Sequence, residues 1–490
     1  MISDIIRTRF APSPTGYLHV GGLRTALYNY LFAKKNSGKF ILRIEDTDRA
    51  RYVDGATENL IATLKWAALN FDEGIGTGGD FGPYLQSQRL NIYKEQADLL
   101  IKENKAYYCF CSQERLAELR KKLDKEGLQP KYDKNCLNLS KEEIEKKLED
   151  QSSCVVRLNV KPNENIIIDD AIRGRVEFNS DTVDDQILIK SDGYPTYHLA
   201  NVVDDHLMKI THVIRGEEWL TSTPKHILLY DYFGWEKPVF AHLPLLLNPD
   251  RTKLSKRQGD VAVEDYKAKG YLKEALINFV ALLGWTAGDD REFYYLYELV
   301  ENFSLERVNK SGAVFNIEKL NWLNAEHLRK KPDTEILKLL KEELSNSKYI
   351  ENNYTDDYLL KIIEAMKERV SFVKEFIVKS PYFFEAPAKY DEAVVSKRWK
   401  DKSAELMKKL IEKFQMFEKP AKEDYENILK ETAAELRVGN GQLIHPLRLA
   451  VSGMGAGPGV FDIVDIIGKE ETIKRINKAI ETIPVTTNKS

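Results

Sequence analysis

Two stretches, far apart in the chain, carry residue types that could bind a nucleotide polyphosphate. The first runs from Arg7 to Gly22 and contains five proline and glycine residues, followed directly by a helical pattern of apolar residues from Leu23 to Lys34. A strand, a glycine-rich turn and a helix in this order present free backbone N–H groups to a phosphate at the helix N-terminus. Glycines also let a ligand approach the backbone closely. With His19 where the turn meets the helix, this stretch is interpreted as half of an ATP site.

The second stretch is a loop that lies beside Gly259 and carries three cations and one hydroxyl. Its residues are Lys253, Leu254, Ser255, Lys256 and Arg257. Cations on a mobile loop can neutralise the charge that develops on a departing pyrophosphate. A charge run by itself usually marks a solvated surface loop, and a glycine turn with a histidine is compatible with a purely structural role. Both stretches occur here in one chain, separated by an insertion and a second set of alternating strands and helices. This combination favours a shared nucleotide site.

The composition of the 490-residue chain is ordinary for a soluble globular protein, with 43% hydrophobic and 30% charged residues. Its length predicts about two to four domains. The net charge of −3 gives no overall basicity, although a local basic face is sufficient for contact with nucleic-acid phosphates. No apolar run reaches the ~18 residues of a membrane span, and the charged N-terminus lacks the apolar core of a signal peptide. A cytoplasmic protein with no membrane partner is expected.

Strand and helix patterns alternate in the first half of the chain, as in a doubly wound sheet. Residues 39–45 predict the strand after the first helix, and Glu45 lies at its C-terminal end, where such sheets bind ligands. Beyond residue 260 strand patterns become rare and amphipathic helical patterns dominate, in residues 334–344, 357–376 and 402–417. The expected fold is an α/β catalytic half, with a Rossmann-like parallel sheet and an inserted α+β subdomain, followed by an all-α C-terminal half.

The predicted domain boundaries follow these changes of pattern. The Rossmann-like domain comprises residues 1–106 and 192–247, and it is interrupted by the inserted subdomain, residues 107–191. The cationic loop and a helical region follow in residues 248–328, and a helical domain occupies residues 329–490.

Several blocks of sequence resemble the class I aminoacyl-tRNA synthetases, and within them the bacterial-type glutamyl-tRNA synthetases. Residues 19–22, His-Val-Gly-Gly, resemble the HIGH signature of that family with glycine at the last position, and residues 253–257 resemble its KMSKS signature. The similarity continues through five further blocks, residues 9–16, 44–49, 82–89, 194–206 and 214–220. The C-terminal part is similar to the family mainly in its helical character.

The resemblance implies a ligase for protein synthesis. It would activate L-glutamate with ATP to glutamyl-adenylate and transfer the glutamyl group to the 2′-hydroxyl of the 3′-terminal adenosine of tRNA(Glu). Mg²⁺ is expected with the ATP polyphosphate. The inserted subdomain would hold the acceptor end of the tRNA, and the C-terminal helices the anticodon. A monomer is expected.

Other functions are compatible with the same motifs. A non-discriminating enzyme would also charge tRNA(Gln) with glutamate, and a tRNA-binding protein with an inactive synthetase domain is the alternative from a different class. The length of the chain disfavours a tRNA-modifying relative that lacks the C-terminal domain. The helical C-terminal pattern disfavours a glutaminyl-tRNA synthetase, which carries β-barrels there.

The resemblance also implies a glutamate site across the first glycine turn. The side-chain carboxylate would face Arg9 and Arg215, because a planar guanidinium fork matches a carboxylate at two points. The other implied glutamate-binding residues are Ala11, Ser13, Glu45, Tyr197 and Asn201, of which Ser13 and Glu45 would hold the α-amino group. The structural alternatives are a surface position for Arg9, an ion pair of Arg215 with Glu217 or Glu218, and an ion pair of Glu45 with Arg43 or Arg49.

For ATP, the resemblance implies His19, Gly21 and Gly22 together with residues 253–257, and it places Glu218 and Trp219 at the border of the nucleotide. His19, Lys253 and Lys256 are the implied catalytic residues, and Lys256 would stabilise the transition-state charge. No protein nucleophile is needed, because the substrate α-carboxylate attacks the α-phosphorus and positioning and electrostatics determine the rate. The other histidines, including His198, are interpreted as structural.

Cys109, Cys111 and Cys136 lie in the inserted segment, at spacings that suggest zinc. Some members of the family bind zinc here through three cysteines and a histidine or tyrosine. Asn138 stands where a histidine is often found, so Tyr132 or water would complete the site. Buried, reduced cysteines are the structural alternative.

Overall fold

The computed structural model describes residues 5–128, 130–254 and 262–484. The chain divides into two compact units, the first comprising residues 1–269 and 273–320 and the second residues 270–272 and 321–490. None of the helices in the described ranges combines the length and apolar character needed to cross a membrane.

Strands of the first unit form one large sheet and two small ones. The strands are β1 (Arg7–Phe10), β2 (Lys39–Leu42), β3 (Glu73–Gly74), β4 (Ala106–Cys109), β5 (Val155–Leu158), β6 (Asn165–Asp170), β7 (Gly174–Asn179), β8 (Ile187–Ile189), β9 (His212–Gly216), β10 (Val239–Leu243), β11 (Leu246–Leu247) and β12 (Ala313–Val314). The seven-stranded sheet has the order β3-β2-β1-β9-β10-β6-β7. Adjacent strands of this sheet are parallel from β3 to β6, and β7 pairs antiparallel with β6 at the edge.

This strand order contains a topological switch point. From β1 the chain moves outwards to β2 and β3 on one side, and it later places β9 and β10 on the other side. The connections therefore diverge at the carboxyl ends of β1 and β9, where a doubly wound sheet leaves a crevice for a ligand. The expected Rossmann-like sheet is confirmed.

The helices of the first unit are α1 (Val20–Lys35), α2 (Ala56–Trp66), α3 (Leu90–Lys102), α4 (Gln113–Lys125), α5 (Lys141–Glu149), α6 (Tyr197–Leu207), α7 (Thr223–Phe233), α8 (Val263–Ala268), α9 (Lys273–Ala281) and α10 (Leu296–Asn302). The next helix, α11 (Ile317–Lys330), begins in the first unit and ends in the second.

Helix α1 follows the sequence pattern closely. Leu23, Leu27 and Leu31 recur at helical spacing and are completely buried in the first unit. His19 caps the helix, since its Nδ1 accepts a hydrogen bond from the backbone N–H of Gly21 at 2.9 Å. The helix starts at Val20, so the prediction of a start near Gly22 was late. Gly21 and Gly22 belong to the first helical turn instead of the preceding loop.

The predicted insertion, residues 107–191, contributes to two different sheets. Strands β4, β5 and β8 form a separate antiparallel sheet. Strands β6 and β7, however, join the edge of the large sheet, where Asp170 pairs with Phe240 of β10. Ile166 and Ile168 are both buried, and their spacing predicts a strand. It does not indicate which sheet the strand joins, because that depends on pairing with a strand ~70 residues away. The domain division within this half remains a prediction.

The second unit is helical, as expected. Its helices are α12 (Asp333–Ser345), α13 (Asp356–Met366), α14 (Glu375–Val378), α15 (Glu392–Arg398), α16 (Ser403–Gln415), α17 (Lys422–Glu435), α18 (Gly441–Ser452), α19 (Val460–Ile467) and α20 (Lys469–Thr482). The helix predicted for residues 357–376 ends early, at Met366. The predicted helix was too long because the apolar spacing continues past Met366, in Val370, Val373 and Phe376. These residues are buried, but they lie outside that helix.

Candidate active site

A cavity of about 560 Å³ opens at the carboxyl ends of β1 and β9, beside the N-terminus of α1. It brings together all seven residues predicted for the glutamate site, Arg9, Ala11, Ser13, Glu45, Tyr197, Asn201 and Arg215. His19, Gly21, Gly22, Glu218 and Trp219, which were predicted for ATP, line the same cavity. The sheet therefore collects residues that span more than 200 positions of the chain around one space.

Arg9 belongs to a buried ion-pair network. Its Nε and Nη2 donate to the two carboxylate oxygens of Asp205 at 3.1 and 3.3 Å, and Nη1 of Arg43 donates to Asp205 at 2.8 Å. Burial raises the pKa of Asp205, but Arg9 and Arg43 more than offset this effect, so the net pKa is below its ordinary value. The alternative of a surface arginine is wrong, because Arg9 is only 3% exposed.

Glu45 belongs to the same network and also lines the cavity. Its carboxylate accepts hydrogen bonds from Nη2 of Arg43 at 2.9 Å and from Nδ2 of Asn201 at 3.3 Å. The structural alternative of an ion pair with Arg43 is thus observed, and it coexists with a position facing the cavity. Burial raises the pKa of Glu45, and Arg43 and Arg9 offset only part of this shift.

Arg215 is held differently from Arg9, by neutral groups. It donates from Nη1 to the hydroxyl of Tyr197 at 3.1 Å and from Nη2 to the hydroxyl of Thr223 at 2.9 Å. Two imidazole nitrogens, Nε2 of His242 and Nδ1 of His226, lie 3.1 and 3.2 Å from its Nε and Nη1. Among the described residues, Arg215 has no carboxylate partner.

The ion pair of Arg215 with Glu217 or Glu218, considered as an alternative, is therefore absent from the described part of the chain. Glu217 instead pairs with Arg173 and accepts from the backbone N–H of Leu245. The hydroxyl of Tyr197 accepts a hydrogen bond from Arg215, and its ring contacts that of Trp219 at a centroid distance of 4.3 Å.

The start of α1 forms the side of the cavity that was predicted to bind the nucleotide. Aligned peptide dipoles and unpaired N–H groups make a helix N-terminus favourable for anions. Lys253 and Leu254 lie outside the cavity lining, on a turn anchored by the hydrogen bond from the N–H of Leu254 to the carbonyl of Leu246 at 2.9 Å. The predicted site residues Ser255, Lys256 and Arg257 lie outside the described residues.

The three predicted cysteine ligands converge in the first unit. The sulfur atoms of Cys109, Cys111 and Cys136 all lie within 4.8 Å of one another. The hydroxyl of Tyr132 is 3.4 Å from the Cys109 sulfur and 3.3 Å from the Cys111 sulfur. Tetrahedral zinc at ~2.3 Å from its sulfur ligands places those sulfurs about 3.8 Å apart, so this donor set fits the ion with modest adjustment.

Sequence reasoning missed several residues that organise the site. Asp205 contacts Arg9, and His226 and His242 contact Arg215, while Asp170 contacts His242; all four are buried. For Asp205 a signal was present, since a carboxylate within an otherwise apolar helical stretch needs a buried partner. No local pattern singles out His242, because its partners come from β6 and β9.

Comparison with known protein families agrees with this geometry. Residues 5–322 match the family model described as tRNA synthetases class I (E and Q), catalytic domain, and residues 327–480 match the model described as anticodon binding domain. The first match contains the whole large sheet and the cavity, and the second lies within the helical C-terminal part.

Full-length relatives and solved structures give the same result. The chain is 54% identical to the glutamate–tRNA ligase of Chloroherpeton thalassium over 99% of both chains, and 52% identical to that of Prosthecochloris aestuarii over 98% of both. A crystal structure of a glutamate tRNA ligase from Elizabethkingia meningosepticum, in complex with its amino acid, superposes with a TM-score of 0.93 at 42% identity, covering 98% of this chain and 100% of that one. The protein thus belongs to the class I tRNA synthetases, in the family of the glutamate–tRNA ligases.

Proposed function

We propose that this protein activates L-glutamate with ATP and transfers the glutamyl group to the 3′-terminal adenosine of tRNA(Glu). The single observation that carries this proposal is the pair of buried guanidinium groups, Arg9 and Arg215, that face one cavity at the N-terminus of α1. One end of the cavity is suited to a carboxylate and the other to a phosphate. A substrate spanning both ends brings a carboxylate oxygen next to the α-phosphate.

In this assignment Arg9 and Arg215 bind the side-chain carboxylate, and Tyr197 and Asn201 line its pocket. Exchanging the carboxylate for the amide of glutamine removes a charge-assisted hydrogen bond, which costs about 1.5–3 kcal/mol. Rejection of aspartate, one methylene shorter, rests on about 1–3 kcal/mol of binding energy.

Ser13 and Glu45 hold the α-amino group, and Ala11 lines the same end of the cavity. An ammonium group favours an ionised partner, and Arg43 keeps a hydrogen bond to Glu45 that supports this state. The α-carboxylate is then directed towards the phosphates at the start of α1, where positioning supplies most of the rate enhancement.

His19, Gly21, Gly22, Glu218 and Trp219 bind ATP, together with the loop residues Lys253, Leu254, Ser255, Lys256 and Arg257. Gly21 and Gly22 leave the first turn of α1 without side chains on that surface, and a Cβ at Gly22 would approach Leu18 Cδ1 to 2.9 Å. Mg²⁺ bound to the polyphosphate neutralises part of its charge. His19 and the two loop lysines act on the remaining phosphate charge as it moves to the leaving group.

Replacing Lys256 by alanine tests the transition-state role of the loop. Removal of one preorganised electrostatic contact is expected to lower the rate of glutamate-dependent pyrophosphate exchange about 10²- to 10³-fold. The affinity for tRNA, measured by filter binding, should stay nearly unchanged, because the charge acts on the leaving pyrophosphate. Lys253→Ala, at the start of the same loop, should have the smaller effect on exchange. Parallel losses of activation and tRNA affinity would contradict the assignment.

We also propose one structural Zn²⁺, held by Cys109, Cys111 and Cys136 with Tyr132 as the fourth ligand. When bound, the ion would cross-link β4 to the segment that carries Tyr132 and Cys136, and it takes no part in the chemistry. The observation that supports the proposal is the convergence of three sulfurs and one hydroxyl within hydrogen-bonding distance.

Zinc content provides a direct measurement. Elemental analysis of the purified protein is expected to find about one zinc per chain, and Cys136→Ser should lose most of it because three-coordinate protein sites bind the ion less tightly. Cys154→Ser is the matched control, since Cys154 is a half-buried cysteine outside the cluster. A zinc-free wild-type protein would favour the alternative of buried, reduced cysteines.

The proposed partners are tRNA(Glu), L-glutamate and ATP, acting on a cytoplasmic monomer. tRNA(Gln) is a second candidate partner. We propose that the inserted subdomain, residues 107–191, binds the acceptor end of the tRNA and that residues 329–490 bind the anticodon. The match of residues 327–480 to an anticodon binding domain supports the second assignment.

Aminoacylation assays test the proposed function. Purified protein should charge tRNA(Glu) with glutamate and discriminate against glutamine and aspartate, and separate assays with tRNA(Gln) identify a non-discriminating enzyme. Failure to exchange pyrophosphate in the presence of ATP, glutamate and cognate tRNA would reject the enzyme and leave the tRNA-binding alternative.

A further inference from the structure

Arg215 is the central member of a chain of hydrogen-bonded side chains that leads away from the cavity. On one side, Nε of Arg215 lies 3.1 Å from Nε2 of His242, and Nδ1 of His242 lies 2.6 Å from the carboxylate of Asp170. On the other side, Nη1 of Arg215 lies 3.2 Å from Nδ1 of His226, whose Nε2 is 3.0 Å from Nδ1 of His198. Among the described residues, the cavity lining includes Arg215 but not its two histidine partners.

The direction of each hydrogen bond follows from the chemistry of the guanidinium, which only donates. Nε2 of His242 and Nδ1 of His226 must therefore accept, each through the lone pair of a neutral ring. Burial lowers the pKa of His242, and it lowers the pKa of His226 well below the ordinary value, so both rings stay neutral near pH 7. In the neutral ring of His242, the proton then lies on Nδ1 and is donated to Asp170.

Asp170 is built to select this tautomer. Its Oδ1 accepts backbone N–H groups from Ile172, Arg173 and His242, at 3.0, 2.8 and 3.3 Å, so Oδ2 is the oxygen that contacts the imidazole. Burial raises the pKa of the Asp170 carboxyl, but the hydrogen bonds from His242 and the backbone outweigh it, and the net pKa lies below the ordinary value. An ionised carboxylate accepts only, and this requires the proton on Nδ1 of His242.

We propose that His242 and His226 are positioning residues for recognition of the substrate side chain, and that Asp170 selects the His242 tautomer on which this depends. The inference rests on the proposed role of Arg215 in binding the glutamate side-chain carboxylate. Neutral acceptors orient the guanidinium without cancelling its charge, whereas a carboxylate in the same place would compete with the substrate. Arg9 is already paired with Asp205, so the uncompensated positive charge is supplied by Arg215.

Asp170→Asn changes the tautomer without removing the side chain. The three backbone N–H groups hold the amide oxygen at the Oδ1 position, which directs the amide NH₂ towards Nδ1 of His242. Nδ1 must then accept, the proton moves to Nε2, and two donors face each other at Arg215. The KM for glutamate in pyrophosphate exchange is expected to rise roughly ten- to hundredfold, as for the loss of a hydrogen bond to a charged group. The KM for ATP should change little.

Two further variants separate this mechanism from a general loss of structure. Asp169→Asn is the matched control, because Asp169 is the exposed neighbour on the same strand, and wild-type constants are expected. The single variant His242→Gln should lie closer to wild type than D170N, because its amide NH₂ can donate to the Asp170 carboxylate while its carbonyl oxygen accepts from Arg215. Where D170N fails to fold, His226→Phe removes the acceptor at Nη1 but keeps a ring, and it should raise the KM for glutamate roughly tenfold.

A D170N enzyme with the wild-type KM for glutamate would overturn the inference, as would equal increases in the KM for glutamate and for ATP. A His242→Gln variant as impaired as D170N would overturn the tautomer argument. A wild-type protein without any glutamate-dependent exchange would instead reject the proposed function, and the inference with it, so the two failures are distinguishable.

Discussion

Replacing Arg215 by glutamine is expected to cause the largest loss of substrate recognition of any single change in the cavity. The substitution removes the guanidinium that is hydrogen-bonded only to neutral groups. It leaves the substrate carboxylate with Arg9 alone, whose charge is already balanced by Asp205. Truncating one partner of a buried, hydrogen-bonded charge pair costs about 2–5 kcal/mol, which corresponds to roughly a 30- to 4000-fold lower kcat/KM for glutamate. Pyrophosphate exchange at varied glutamate and varied ATP measures this loss.

The same experiment includes its own controls. Arg215→Lys keeps the charge but not the planar fork, so its kcat/KM should fall between those of wild type and R215Q. Arg175→Gln removes an exposed arginine of β7 that pairs with Glu177, and it should leave the constants unchanged. A variant R215Q that loses ATP and glutamate affinity equally, or that retains the wild-type kcat/KM for glutamate, would contradict the assigned contact.

Replacing Asp205 by alanine is expected to cause the largest loss of stability. Asp205 is 1% exposed, and its carboxylate accepts hydrogen bonds from both Arg9 and Arg43. Removing it leaves two buried guanidinium groups short of a counter-charge, and breaking a buried pair in this way costs about 3–5 kcal/mol. The thermal midpoint of the first unit, followed by calorimetry, should fall clearly, and glutamate affinity should fall with it because Arg9 loses its anchor.

The matched control is an exposed ion pair of the same unit. Asp231 pairs with Lys237 and both are about half exposed, so Asp231→Ala should change the stability by no more than ~1 kcal/mol. Because folding lowers the pKa of Asp205, its contribution is present above the unfolded value of about 4 and is lost as the pH falls further, towards the folded pKa. The Asp205 variant should therefore lose less stability than wild type on acidification. An equal response of the two proteins to acid would contradict this account.

Much of the architecture follows from local patterns in the sequence. The apolar residues of α1 recur at helical spacing, and the capping histidine and two glycines mark its start to within two residues. Glu45 follows an apolar strand, and ligands bind at the carboxyl ends of parallel strands. These local rules, together with the resemblance of the motifs, predict a shared site for the seven residues of the glutamate site, and all seven line one cavity.

Other features depend on contacts that no local pattern encodes. The edge position of β6 and β7 is determined by the pairing of β6 with β10, and the apolar spacing after Met366 continues outside that helix, through a 3₁₀ turn and a break into the short helix α14. In both cases the sequence indicates which residues are buried, but it does not indicate which elements they pack against. Burial energy is roughly proportional to area and has no direction, so it cannot by itself select a partner.

The family, the class of chemistry and the residues that line the cavity could be predicted from the sequence, because motifs and periodicity are properties of neighbouring residues. The difference between the two arginines is visible only in the folded protein. Arg9 is paired with a carboxylate, and Arg215 is held by the lone pairs of neutral rings. The charge state of a buried group depends on its partners, and the fold brings those partners together from α6, α7 and β10.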